Sequence, residues 1–173
     1  MGNHSTRDLP QASSLPKLRA FVAAVVAGHA SSLRDAGVAA GLSVRHAHYY
    51  GLAATITLAL AESRNGVLHS TLLGAELLAT RDGSFEERAV LRRAIADSAS
   101  VTSIAPDLLD TDGPTSEALT HRMIHAGLSP ATAQRRASTL LAWRGYVLDR
   151  QARLTLPLAK VKPPLARSRR ATR

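Results

Sequence analysis

The chain reads GLSVRHAHYYGLAATITLAL from Gly41 to Leu60 and GLSPATAQRRASTLLAWRGYV from Gly127 to Val147. Both stretches begin with Gly-Leu-Ser, and the second follows the first by 86 residues. In each, a short helical segment ends at the glycine and the serine is placed to cap the next helix. The first turns of that helix are polar and basic, and its later turns are apolar. This pattern is typical of a helix-turn-helix, and its return at this spacing favours a duplicated unit.

The composition restricts the class of protein. A chain of 173 residues suits one medium domain or two small ones of about 75–85 residues each. It contains no cysteine, which excludes disulfides, zinc fingers and thiol catalysis. Residues 1–15 contain no hydrophobic signal core and the apolar runs are short. We therefore expect a cytoplasmic, nucleoid-associated protein that contacts no membrane.

The positive charge is concentrated at the C-terminal end. The net charge is +9. Residues 1–143 carry 13 Lys or Arg against 12 Asp or Glu, whereas residues 144–173 carry nine against Asp149 alone. A nearly neutral body with a basic end favours a polyanionic partner, because each cation placed on a phosphate displaces a condensed counterion. The alternative is a basic tail that only aids solubility.

The periodicity predicts a mostly α fold with short β wings, arranged as two tandem winged-helix units. The predicted parts are a flexible arm at 1–14, a first unit at 15–82, a second unit at 83–160 and a disordered basic tail at 161–173. Helices are predicted at about 15–29, 33–40, 44–61, 72–80, 85–99, 117–126 and 130–148, and strands at 67–70 and 150–159. Asn65-Gly66 predicts a tight turn before the first strand. Residues 101–112 are predicted to be irregular.

The first helix-turn-helix offers five residues for DNA contact. Arginine can address guanine edges, and serine and tyrosine hydroxyls suit phosphates. The candidates on this helix are Ser43, Arg45, His46, His48 and Tyr49. The alternative is that the tyrosines are core residues and the histidines are solvated. We expect Tyr50 to be in the core, and Tyr49 remains open between the two roles.

The second helix-turn-helix and the C-terminal end supply the remaining candidates. Glutamine can pair with adenine, and we expect Arg135 and Arg136 to be exposed, although they point about a hundred degrees apart and so cannot both read bases. The candidates on this helix are Ser129, Thr132, Gln134, Arg135 and Arg136, with Ser138 beside them. Further along, the basic candidates are Arg150, Arg153, Lys160, Lys162, Arg167, Arg169 and Arg170.

Two other clusters contain residue types that can bind a metal. His121 and His125 share a helical face but lack the carboxylate of an HExxH site. Asp107, Asp110 and Asp112 lie in a loop before a helix, where aspartate ordinarily serves turns and caps. With no phosphate-binding loop, dinucleotide fingerprint or nucleophile elbow, the sequence predicts no enzyme, no metal and no cofactor.

The stretches GLSVRHAHYYGLAATITLAL and NGVLHSTLLGAELLA (residues 65–79) resemble a bacterial winged helix-turn-helix DNA-binding protein. GLSPATAQRRASTLLAWRGYV resembles the helix-turn-helix module of restriction-associated and ATPase-associated bacterial proteins. The chain differs from the commoner consensus by having Ala47 and Ala133 where a larger aliphatic residue often stands. The resemblance implies DNA binding in a regulatory, defence or mobile-element setting.

Together these observations lead to one functional hypothesis with one alternative. The chain is expected to be a non-catalytic, sequence-specific binder of double-stranded DNA, a transcriptional regulator or a recognition component, whose two helices read two half-sites. Alternatively, it is a subunit or docking protein of a larger nuclease or nucleoprotein complex, with one unit used for contact with protein. A homodimer or a larger assembly is compatible with either.

Overall fold

A computed structural model describes residues 9–28 and 32–148 of the chain. They form eight α-helices, one π-helical turn and one antiparallel hairpin. The first half contains α1 (Leu15–Val26), α2 (Leu33–Ala39), α3 (Val44–Leu52), the π-helical turn (Ala53–Thr57), β1 (Ala61–Arg64), β2 (Val67–Ser70) and α4 (Leu72–Ala79). The second half contains α5 (Phe85–Ala96), α6 (Ala99–Ile104), α7 (Ser116–His125) and α8 (Pro130–Leu148). The chain is thus mostly helical with a small sheet, as predicted.

The two Gly-Leu-Ser turns have the same hydrogen bonds. In the first, the Leu42 amide donates to the Gly37 carbonyl at 2.8 Å and the Gly41 amide donates to Val38 at 3.0 Å. In the second, Leu128 donates to Met123 at 3.0 Å and Gly127 donates to Ile124 at 2.9 Å. Gly41 and Gly127 have φ angles of 70° and 94°, a conformation that glycine adopts without steric cost. Each turn is therefore a Schellman motif, and the repeat seen in the sequence extends to backbone geometry.

The hairpin follows the first of these turns. Asn65 and Gly66 form a two-residue loop with φ angles of 53° and 79°, and Arg64 pairs with Val67 across it. Two positive φ angles are the signature of the predicted tight turn. The prediction that α3 continues to residue 61 is wrong, because the α-helix widens into the π-helical turn and β1 begins at Ala61.

Serine and threonine side chains cap the N-termini of three further helices. The side chains of Thr71, Ser84 and Thr115 accept from backbone amides in the first turns of α4, α5 and α7, as is typical of these residue types. The segment predicted to be irregular, residues 101–112, begins with the last four residues of α6. The predicted strand at 150–159 and the basic tail lie outside the described residues.

The N-terminal segment, defined as residues 9–14, is not the free arm that was predicted. Leu9 and Ala12 are buried. The Trp143 indole N–H donates to the Ala12 carbonyl at 2.7 Å, and the Ser14 amide donates to the Tyr50 hydroxyl at 3.3 Å. The segment thus contacts both α3 and α8.

The buried side chains of both halves form one continuous cluster that runs from Leu9 to Val147. The structure therefore gives the two predicted units a shared core. Two large apolar side chains of the helices, Val26 and Phe85, are exposed. Within the described ranges, no helix has both the length and the apolar character needed to cross a bilayer.

Candidate nucleic-acid interface

The orientation of α3 is set by a close contact with α2. A Cβ atom built on Gly37 would stand 2.0 Å from the Cβ of Ala47 and 2.9 Å from its Cα. Real Cβ atoms do not approach this closely, so the two helices meet where one residue has no side chain. Ala47 is buried and so is Tyr50 one turn later, which confirms that Tyr50 is a core residue. These contacts decide which side of α3 faces solvent.

The exposed side of α3 carries Arg45, His46 and His48. Ser43 caps the helix, since its Oγ accepts from the His46 amide at 3.4 Å, and the same oxygen lies 2.9 Å from His46 Nδ1. Arg45 Nε donates to the Tyr49 hydroxyl at 3.0 Å, and its guanidinium lies 5.6 Å from the centre of the Tyr49 ring. The hydrogen bond to Tyr49 raises the pKa of Arg45. Arg45 is therefore a fixed positive charge at the surface, and Tyr49 is half-buried beneath it.

The second helix-turn-helix presents Gln134 and Arg135 to solvent at the start of α8. Ser129 Oγ donates to Thr132 Oγ1 at 2.9 Å, a pair at the same helical spacing as Ser43 and His46. Arg135 Nε donates to the Ala131 carbonyl at 3.1 Å. Among the described residues, neither Arg135 nor Arg45 lies within ion-pair distance of a carboxylate. Both charges are available for an external anion.

Arg136 differs from this set, and the expectation that it is exposed is wrong. Its residual exposure is 4%, and Nη1 donates to the Leu9 carbonyl at 2.5 Å. Burial lowers the pKa of Arg136 to about 10, an effect that nearby Tyr49 opposes and Arg135 reinforces. The side chain remains charged at neutral pH, but it points into the molecule. Its role in the fold is to hold the N-terminal segment against α8.

The two candidate recognition helices meet at one small cavity. Tyr49 of α3 and Arg136 of α8 both line a cavity of about 100 Å³, together with Gln11 of the N-terminal segment. Gln11 also lines a second groove, which runs beside Gln134 and Arg135. The exposed residues around these cavities are named here the α3–α8 face; they are Gln11, Arg45, His46, His48, Gln134 and Arg135.

The shared cavity brings the exposed arginines of the two helices near each other. Arg45 lies one helical turn, about 5.4 Å along the axis, before Tyr49. Arg135 is the neighbour of Arg136, which shares the small cavity with Tyr49. The two exposed arginines are therefore much closer than the ~34 Å that separates the centres of two half-sites. They belong to one surface.

The remaining basic candidates cannot be placed on this surface. Arg150, Arg153, Lys160, Lys162, Arg167, Arg169 and Arg170 lie outside the described residues. Ser129 is exposed at the start of α8 and Thr132 is half-buried, so their hydroxyls flank the α3–α8 face.

The histidine pair and the acidic loop do not assemble into a larger cluster. His121 and His125 are exposed with ring centres 4.4 Å apart. Across residues 9–28 and 32–148, the structure groups no three side chains suited to hold a metal ion. Asp107 makes a bidentate pair with Arg122 of α7 at 2.5 and 2.8 Å. This aspartate therefore anchors the loop to α7.

The Asp107–Arg122 pair predicts a specific acid sensitivity. Hydrogen bonds from Arg122 lower the pKa of Asp107, so its contribution to stability is fully present above the ordinary aspartate pKa of about 3.9 and is lost as the pH falls through the lower folded-state value. Because both side chains are more than one-third exposed, we expect Asp107→Asn to cost only about 0.5–1 kcal/mol at pH 7. Urea unfolding of wild type and of Asp107→Asn at pH 7 and pH 2 measures this difference in the free energy of unfolding. A difference between variant and wild type that is as large at pH 2 as at pH 7 would contradict this account.

No family model, curated protein or solved structure matches the chain.

Proposed function

We propose that this protein binds double-stranded DNA through the α3–α8 face, and that it acts without catalysis as a transcriptional regulator or as the recognition component of a larger system. The observation that carries the proposal is the set of side chains that the first two turns of α3 expose to solvent. Arg45, His46 and His48 are all exposed there, on a helix that the Gly37–Ala47 contact fixes to the core. Polar and basic side chains at the N-terminal end of a rigid second helix are what a helix-turn-helix inserts into the major groove.

The position of the hairpin supports the proposal. β1 and β2 follow α3 and the π-helical turn, and the loop between the strands is exposed, with Arg64 beside it. A hairpin in this position corresponds to the wing of a winged helix, and in the proposed complex it contacts DNA beside α3. Arg64 pairs with Glu62, a neighbour on the same strand, and such an exposed pair is easily exchanged for a phosphate.

The distribution of positive charge supports a polyanionic partner. Arg45 and Arg135 are exposed on the α3–α8 face and pair with no carboxylate of the described residues. The sequence adds nine basic residues against one acidic residue after position 143. In the proposed complex the basic C-terminal residues add phosphate contacts that increase affinity without reading sequence.

The test is a binding measurement with paired arginine variants. Arg45→Ala combined with Arg135→Ala should weaken binding to a duplex selected from a random pool by more than about tenfold and reduce the slope of log affinity against log salt by up to about two units. The matched control combines Arg81→Ala with Arg92→Ala. It removes the same charge from two exposed arginines of the α4–α5 region and should change affinity by less than about threefold.

Two results would overturn the proposal. One is a wild-type protein that selects no duplex at physiological salt. The other is an equal loss of affinity in both double variants, which would mean that DNA responds to net charge and not to the α3–α8 face. Circular dichroism of each variant verifies that the fold is retained, as expected for exposed arginines whose contribution to stability is small.

One observation favours the alternative of a protein partner. Val38 and Val44, on either side of the first turn, are 62% and 58% exposed. Exposed apolar side chains beside a recognition helix suit contact with another protein. If Val38→Ser abolishes assembly with a partner while duplex binding is unchanged, the first helix-turn-helix serves as a docking module.

A further inference from the structure

Tyr49 connects the exposed side of α3 to the body of the protein. Its side chain is half-buried and lines the small cavity between α3, α8 and the N-terminal segment. The neighbouring ring of His48 is centred 6.3 Å from the ring of Tyr49. Three segments of the chain therefore surround the Tyr49 ring, and they limit the positions that its hydroxyl can take at the surface.

The hydroxyl of Tyr49 restrains the arginine that lies one helical turn before it. Arg45 Nε donates to this oxygen at 3.0 Å, and the guanidinium carbon stands 5.6 Å from the centre of the ring, within the range of a cation–π contact. The hydrogen bond uses Nε and leaves the donors of Nη1 and Nη2 on the other edge of the guanidinium. In the part of the chain that the structure describes, no carboxylate lies within ion-pair distance of Arg45. The Nη edge is thus oriented toward an acceptor outside the protein.

We propose that Arg45 reads a guanine through its Nη edge and that Tyr49 is the positioning residue that orients it, an inference that rests on the proposed function. Guanine presents N7 and O6 side by side in the major groove, and the paired N–H groups of an arginine match these two acceptors. Arg45 lies in the first turn of α3, and the N-terminal residues of the second helix are those that reach base edges in a helix-turn-helix. The geometry assigns base recognition to Arg45 and support of its side chain to Tyr49.

Restraint of Arg45 before binding favours contact with a base. An unrestrained arginine side chain samples many rotamers, and fixing it on a base costs conformational entropy. The hydrogen bond to Tyr49 removes part of this freedom in the free protein, so less is lost when the duplex binds. Attraction to phosphate depends mainly on charge and carries no sequence information. Loss of the Tyr49 hydroxyl should therefore change base preference without changing salt dependence.

Two variants test the guanidinium and its support separately. Arg45→Ala removes the guanidinium, whereas Tyr49→Phe keeps the ring and removes only the oxygen that accepts from Nε. The matched control is Tyr146→Phe. Tyr146 is also half-buried, and its hydroxyl donates to Glu87 of α5 at 3.1 Å, so the control removes the same atom from a tyrosine outside the α3–α8 face. Circular dichroism verifies that each variant is folded.

Base preference is measured on the duplex that the wild type selects from a random pool. Each guanine of this duplex is replaced in turn by 7-deazaguanine, which lacks the N7 acceptor, and affinities are determined by fluorescence anisotropy. At one position we expect the replacement to weaken binding of wild type and of Tyr146→Phe by about tenfold. There it should weaken binding of Arg45→Ala by less than about twofold and of Tyr49→Phe by about threefold. The slope of log affinity against log salt should be the same for Tyr49→Phe and wild type to within about half a unit, because no charge is removed.

The support of Arg45 by Tyr49 is also measurable without DNA. In the ¹⁵N-labelled free protein, the Arg45 Nε–H should exchange with water at least about threefold more slowly in wild type than in Tyr49→Phe, because the hydrogen bond protects it. Tyr146→Phe should leave this exchange rate unchanged. Equal exchange in wild type and Tyr49→Phe would show that the hydroxyl does not hold the arginine.

The outcomes separate this inference from the proposed function. If the wild type selects no duplex at physiological salt, the proposed function is wrong and guanine recognition is excluded with it. If the wild type binds its duplex and Arg45→Ala weakens binding to every substituted duplex by the same factor, Arg45 contacts phosphate; the inference is then wrong while the proposed function stands. A Tyr49→Phe protein with the wild-type preference, or an equal loss of preference in Tyr146→Phe, would overturn the role assigned to Tyr49.

Discussion

Replacing Trp143 with alanine is expected to lower the free energy of unfolding by about 3–5 kcal/mol, a large part of the total stability of a domain of this size. Trp143 has no exposed surface, and its indole N–H donates to the Ala12 carbonyl at 2.7 Å. The substitution therefore creates a large cavity in the shared core and leaves a buried carbonyl without its donor. It also releases the N-terminal segment from α8.

Trp143→Phe separates these two effects. Phenylalanine restores most of the ring volume and lacks the N–H group, so its cost should be smaller, with about 1–3 kcal/mol arising from the unsatisfied carbonyl. Urea unfolding followed by circular dichroism measures both variants. Leu72→Ala is the control, because Leu72 is 92% exposed and its loss should cost no more than about 0.5 kcal/mol. A Trp143→Ala cost close to that of Leu72→Ala would show that the N-terminal segment and α8 do not form this core.

The local features of the fold were predictable because their causes lie within a few residues. Ser43, Thr71, Ser84 and Thr115 each accept from an amide three residues later, and this capping geometry is visible in sequence as a hydroxyl residue before an apolar period. The Asn65-Gly66 turn was predictable for the same reason, since both residues tolerate a positive φ.

The contacts that were missed join distant parts of the chain. Arg136 contacts Leu9 and Trp143 contacts Ala12 across separations of 127 and 131 residues. Local periodicity does not reveal contacts between residues so far apart in the sequence. The polar N-terminal stretch was therefore predicted to be a free arm. The length of α3 was overestimated because the apolar period continues through the π-helical turn, where tertiary packing changes the backbone but not the pattern of residues.

The burial of Arg136 nevertheless had a signal in the sequence. The 86-residue offset between the two Gly-Leu-Ser turns aligns Arg136 with Tyr50, and both side chains are buried, at 4% and 5% exposure. The same offset aligns Ala133 with Ala47, and both are buried. Carrying the expected core position of the first repeat onto the second would have placed Arg136 inside. Residue type alone predicts that Arg136 is exposed, since arginine is rarely buried.

Replacing Gly37 with alanine is expected to destabilise the protein by about 2 kcal/mol. The new methyl group would stand 2.0 Å from the Cβ and 2.9 Å from the Cα of Ala47, so α2 and α3 must move apart. Overpacking of this kind costs about 1–3 kcal/mol or more, which outweighs the gain in helix propensity of about 1 kcal/mol. Because α3 carries Arg45, His46 and His48, its displacement should weaken duplex binding as well. Urea unfolding and fluorescence anisotropy with a labelled duplex measure the two effects.

Two further variants test whether the clash with Ala47 causes the destabilisation expected for Gly37→Ala. Gly145→Ala is the matched control: Gly145 lies in α8, a Cβ on it would meet nothing within 4 Å, and the change should stabilise the protein by about 0.5–1 kcal/mol. Gly37→Ala combined with Ala47→Gly moves the single methyl group from α3 to α2 and removes the clash. The double variant should therefore be more stable than the sum of the single effects predicts, by about 2 kcal/mol, and should regain duplex binding. Strict additivity would mean that Gly37 and Ala47 do not touch, and the orientation assigned to α3, with its exposed arginine and histidines, would have to be abandoned.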